Sequence, residues 1–198
     1  MFQKIISFLK EHRFIILSTI IVLSAVAVIE LYFGRSVLGP DGKFAFWDNN
    51  IWGNETSQRV ADIYSFSHII HGILFFAFLS LVAKRLPIKY RFLIALILEG
   101  AWELFENSSF IINRYREATI ALGYFGDSVL NSLSDILMMS LGFLIAKISK
   151  IWFAILLIII LELGCLFWVR DNLTLNVIML FHPIESVKVW QSEGQPIP

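Results

Sequence analysis

Five stretches of about 20 mostly apolar residues dominate this chain of 198: 14–32, 64–83, 92–112, 128–146 and 151–169. A helix of about that length spans the roughly 30 Å hydrocarbon core of a bilayer. The apolar residues come in long runs rather than short alternations, so the expected elements are helices. Composition agrees: 57% of the residues are hydrophobic and 16% charged, against roughly 45–50% and about 25% in a soluble domain. A disordered chain, a nucleic-acid-binding module and an ordinary cytosolic domain are excluded. The reading is an all-α integral membrane bundle in one domain, with five transmembrane helices.

Lysine and arginine orient it. Lys4, Lys10 and Arg13 precede the first run. Lys84, Arg85, Lys89 and Arg91 link the second and third, and Lys147 and Lys150 link the fourth and fifth. The positive-inside rule makes these places cytoplasmic. The amino terminus is then cytoplasmic and the carboxy terminus periplasmic, with bacterial inner membrane as the simplest location. Ala25-Val26-Ala27 also fits a signal-peptide cleavage site, although the apolar run continues to Phe33. Retained anchor and cleaved leader both stay open.

Residues 34–63 form an external loop with a turn at Gly39-Pro40-Asp41-Gly42 and the aromatics Phe44, Phe46, Trp47 and Trp52. Such rings anchor a loop at the water–lipid boundary or cover a site. After Arg170, residues 173–181 are apolar but too short to span, and Ile184, Val187 and Trp190 share a helical face. This tail reads as a re-entrant or interfacial segment. The one cysteine, Cys165, lies in an apolar run as a small packing residue.

Ionisable groups within membrane helices are costly, so they are functional candidates. His68 and His71 share one face of the second run. Glu99, Glu103 and Glu106 share a face of the third, and Asp127, Asn131 and Asp135 a stripe of the fourth. Glu162 and Arg170 belong to the fifth. Counting about 1.5 Å per residue from the expected helix ends places His71, Glu103 and Asp135 roughly 10–12 Å below the outer surface. His68, Glu106 and Asn131 fall at roughly 6–8 Å. Polar groups on three helices therefore match at two depths.

Imidazole and carboxylate together are ligands for zinc, iron or manganese. The expected metal ligands are His68, His71, Glu103, Glu106 and Asp135 around one divalent cation, with zinc as the candidate. Glu103, Asp135 and Asp127 are the candidate catalytic carboxylates. Arg114, Arg116, Asn131 and Arg170 are candidate substrate contacts, since planar guanidinium groups suit phosphate or carboxylate. The leading function is a metal-assisted membrane hydrolase or transferase acting on a membrane lipid or lipid-linked envelope precursor. Metal-free acid–base catalysis, serine chemistry at Ser65 or Ser67 beside His68, an ion- or proton-coupled carrier, a structural polar network and a non-catalytic envelope partner are alternatives.

Several strings are distinctive: Tyr64-Ser-Phe-Ser-His-Ile-Ile-His-Gly72, Glu99-Gly-Ala-Trp-Glu-Leu-Phe-Glu-Asn-Ser108, Arg114-Tyr-Arg-Glu-Ala-Thr119, Gly126-Asp-Ser-Val-Leu-Asn-Ser132 and Arg170-Asp-Asn-Leu-Thr-Leu-Asn176. From about residue 50 to the tail the chain resembles an uncharacterised family of small proteobacterial inner-membrane proteins, a domain of unknown function. The resemblance implies a bacterial multi-pass membrane protein. More loosely, the order His68, Glu103, Gly126-Asp127, Asp135 and Gly142 is similar to VanZ-like membrane proteins, associated with glycopeptide-antibiotic resistance. The arginine those proteins place before their aspartate has no clear match. That similarity tilts the reading toward cell-envelope chemistry.

Overall fold

The computed structural model describes residues 2–48, 50–119 and 123–194. Among these the chain is helical: α1 (Phe2–Tyr32), α2 (Ser65–Val82), α3 (Ile88–Glu106), α4 (Ser109–Ala118), α5 (Val129–Ile148), α6 (Ile151–Val169), α7 (Leu173–Phe181) and α8 (Glu185–Ser192). The only bridge between extended segments among the described residues joins Trp47 to Ala61 in the 34–63 loop. Four helical stretches are long and apolar enough to cross a membrane: His12–Tyr32, Ser65–Val82, Val129–Ile148 and Ile151–Val169. Their outward faces carry apolar side chains such as Ile21, Val28, Leu81, Ile155 and Ile160. An exposed apolar surface of this extent needs lipid rather than water around it.

α3 differs. It has the length of a span but carries Lys89, Arg91, Glu99, Glu103 and Glu106. It packs against α1, α2 and α5, and Ala95, Leu96, Glu99 and Glu103 are fully buried. Its end corrects the expected third span, 92–112. The helix stops at Glu106, because the Asn107 side chain leaves the helical ladder for tertiary partners. Ser108 then caps α4 by accepting from the Ile111 N–H, so Phe110, Ile111 and Ile112 belong to a separate short helix.

α2 and α5 form the tightest crossing. A Cβ on Gly72 would lie 1.9 Å from the Met139 carbonyl oxygen, and one on Gly142 would lie 2.0 Å from that of Ile69. The two backbones touch where only glycine fits. The main apolar core, built by Val26, Leu79, Ala95, Leu96, Ile136, Met139 and Phe143, comes from four helices.

The 34–63 loop is folded onto the end of the bundle where α2 and α5 begin. Arg59 binds Asp41 at 2.7 Å and Glu55 at 3.1 Å, and Gln58 donates to the Gly126 carbonyl at 2.7 Å. The Arg59 guanidinium holds the Asp41 carboxyl down at about 2. Trp47 packs on Phe66 and Trp168, while Phe44 and Phe46 stay exposed. Trp52 lines the cavity described below, so the loop both anchors and walls. The tail forms two short helices, with no crossing length. Cys165 packs with Ile63 and Val169.

Candidate functional site

The close α2–α5 crossing and the burial of α3 beside it bring one imidazole against three carboxylates. His68 Nδ1 lies 2.6 Å from Glu99 Oε1 and 3.4 Å from Glu103 Oε1, and its Nε2 lies 3.7 Å from Asp135 Oδ2. One turn on, His71 Nδ1 lies 3.1 and 3.2 Å from the two Glu99 oxygens. The ligand atoms of His68, His71 and Glu99 all fall within 4.8 Å of one another, so this group can hold a metal ion. Two imidazoles and a carboxylate with an open side form a ligand set of the kind that suits catalytic zinc.

The group faces a cavity of about 460 Å³, which Glu106, Asp127, Asn131 and Asp135 also line. Glu103 lies behind it, fully buried, with neither carboxylate oxygen in a hydrogen bond. Asp135 Oδ1 likewise has no hydrogen-bond partner. Glu106 lies beside Tyr115 and Trp102. At the cavity's rim near the 34–63 loop Tyr124 donates to Asp127 Oδ1 at 2.8 Å, and Tyr64 donates to Asp171 Oδ2 at 3.3 Å. Burial pushes the Asp127 carboxyl up to about 7 and that of Asp171 to about 6. The tyrosine hydroxyls act against this by hydrogen-bonding the ionised forms.

The structure thus gathers seven of the expected residues, with one shift of register. Glu99, rather than Glu103, Glu106 or Asp135, completes the pair of histidines. Equal-depth counting assumes that α2 and α3 begin and end at one plane. α3 instead stops at Glu106, and His71 meets Glu99, the carboxylate one turn before Glu103. The available signal was that Glu99 shares the stripe of Glu103.

The arginines go elsewhere. Arg114 donates to the Leu180 carbonyl at 2.7 Å, Arg116 to that of Tyr124, and Arg170 to that of Trp190 at 2.8 Å. None of the three lines the cavity among the described residues. They fasten α7, α8 and the 123–126 turn. Asn131 lines the cavity, but its amide donates to the Arg59 carbonyl and supports the loop. Glu162 is a cap: its carboxylate accepts from the Leu173 and Thr174 N–H groups at the start of α7.

A second polar centre was not visible from spacing. Glu30, inside the first apolar run, is fully buried. Asn107 Nδ2 lies 3.1 Å from Glu30 Oε1, 3.2 Å from Ser132 Oγ and 3.3 Å from Asp127 Oδ2. Gly126, at φ +97°, leaves room for the Arg35 guanidinium and the Asn107 amide. A carboxylate within an otherwise uncharged apolar run was the signal.

Comparison with known proteins gives the chain a family but no activity. Residues 30–193 match the family described as Protein of unknown function (DUF2585). The chain is 47% identical over 168 residues to a UPF0314 protein of Sphingopyxis alaskensis, covering 85% of this chain and 89% of the relative. It is 45% identical over 175 residues to one from Paracoccus denitrificans, covering 88% and 91%. With one from Rhizobium etli it is 42% identical over 182 residues, covering 92% and 93%. No solved structure matches, and the similarity to VanZ-like proteins finds no support among these matches. The chain belongs to the DUF2585 family, shared with these UPF0314 proteins.

Proposed function

We propose that this is a multi-pass protein of the bacterial inner membrane, with a cytoplasmic amino terminus, a periplasmic carboxy terminus and α3 as a fifth crossing. Its cavity is the site of metal-assisted hydrolysis or group transfer on a lipid or cell-envelope precursor. The observation that carries the reading is the convergence of His68, His71 and Glu99 on one point at the wall of a cavity. Ion pairing alone would satisfy these groups in a packing network, but it would not call for a cavity beside them.

A divalent cation held by the three residues supplies Lewis acidity and lowers the pKa of water. The chain's own groups do the rest. Without the cation Glu99 orients both imidazoles through their Nδ1 atoms, and these same atoms would be the ligands that hold it. Asp135 faces the opposite nitrogen of His68 and presents an unpartnered oxygen, where a proton can be held. Glu106 and Asp127, on the far wall, are placed to accept or return protons from a bound substrate. The apolar wall excludes bulk water, which strengthens each of these interactions.

Metal content tests this. Wild type purified without chelators is expected to carry about one divalent ion per chain. Glu99→Gln and His71→Ala should lose it, while keeping helicity and monodispersity. Wild type empty under those conditions refutes the metal reading. A proton-coupled carrier is the second reading, favoured by the two unpartnered oxygens of buried Glu103. Proton flux in liposomes that persists in the metal-free variants would select it.

A further inference from the structure

The cavity has a marked chemical bias. Five carboxylates line it, from Glu99, Glu106, Asp127, Asp135 and Asp171; the basic side chains among the described lining residues are His68 and His71, both paired with Glu99, and no lysine or arginine lines it. An anionic headgroup entering there would meet like charge in a poorly hydrated space, which is strongly unfavourable. Even with Glu99 engaged by a cation, four acidic side chains remain. Asp135 is 4% exposed, and its free oxygen still lacks a partner.

Aromatic faces alternate with these acids. Tyr115 and Tyr124 pack edge to face at 5.5 Å; Tyr124 donates to Asp127, and Tyr115 lies beside Glu106. Trp102 adds a third ring and lies 6.3 Å from His71. Acid-backed aromatic walls are what an ammonium group selects, through cation–π attraction and charge pairing. A metal ion needs closer oxygen or nitrogen ligands than ring faces supply.

The cavity also reaches the flank of the bundle. Leu98 on α3, with Val177 and Phe181 on α7, line it and are exposed. These exposed apolar side chains border the cavity on the flank of α3 and the nine-residue α7. A polar head and an apolar tail therefore each have a place.

The geometry points to a site for a cationic amphiphile: an ammonium headgroup between Glu106, Asp127 and the Trp102, Tyr115 and Tyr124 rings, with its tail leaving past Leu98 and Phe181. This rests on the cavity being the substrate site and names the substrate class. It does not require the metal.

Three tail-matched probes test it on the full chain in neutral maltoside micelles: dodecyltrimethylammonium, dodecyl phosphate and dodecanol, each at trace mole fraction. Soluble tetramethylammonium is the fourth arm. Binding is read from tryptophan fluorescence and from the rise in Tm, and metal content is measured on the same samples. The cationic amphiphile should bind at least about tenfold more tightly than the phosphate. Glu106→Gln should remove most of that preference, and Trp102→Leu should weaken the cation without affecting the phosphate. Equal binding of all three amphiphiles, or preference for the phosphate, overturns the proposal. Soluble tetramethylammonium binding as well as the amphiphile overturns the tail path and leaves a soluble amine as ligand. Metal-free protein that still selects the cation refutes the metal reading alone. Metal-loaded protein without cation selectivity refutes this proposal alone.

Discussion

Replacing Gly72 with alanine tests whether the α2–α5 contact sets the geometry of the whole site. The added Cβ would sit 1.9 Å from the Met139 carbonyl oxygen. Bringing it out to the ordinary contact of 3.4 Å requires the helices to part by about 1.5 Å. The atoms in the way are backbone, so no rotamer change relieves them. Overpacking of this kind costs about 1–3 kcal/mol, which for a chain of this size corresponds to a fall in Tm of roughly 2–12 °C. The same separation carries His68 away from Asp135, now 3.7 Å apart across that interface. The assay is thermal unfolding in detergent together with metal content. Gly164→Ala is the control, since a Cβ there meets nothing within 4 Å on the exposed side of α6. It should leave Tm unchanged or slightly higher. If Gly72→Ala matches the control in both readouts, the argument that backbone contact positions the site is wrong.

Burial holds the Asp127 carboxyl up at about 7 in the folded protein, against an ordinary 3.8. Protons thus bind more tightly to the folded state, and this contribution to stability is full below about pH 4 and lost as pH rises through about 7. Asp127→Asn should flatten that part of the Tm–pH curve, and an unchanged slope would remove Asp127 as its source. Arg114→Ala removes the donor that holds the Leu180 carbonyl, a charged hydrogen bond worth about 1.5–3 kcal/mol. Hydrogen exchange should then accelerate in the α7 amides and stay slow in α5. Acceleration in both would indicate general unfolding instead. Alkaline phosphatase fused at the carboxy terminus should be active, and fused within residues 84–91 it should be silent. The reverse pattern inverts the proposed orientation.

The membrane character and helical class were legible in the sequence because they accumulate residue by residue. An apolar run of about 20 residues has the same meaning wherever it packs. Helical periodicity likewise placed His68 with His71 and Glu99 with Glu103, since a shared face is a local property of one helix. The axial offset between helices is not local. His68 meets Asp135 because Gly72 and Gly142 let α2 and α5 touch, and Glu99 meets both histidines because α3, ended by Asn107, packs beside α2. The destinations of Arg114, Arg116 and Arg170 were hidden for a related reason. A flexible guanidinium near a helix end bonds whichever carbonyl the fold brings within reach, and the fold supplied those of Leu180, Tyr124 and Trp190. Spacing along the chain selected the residues of the site, and packing between helices decided which of them meet.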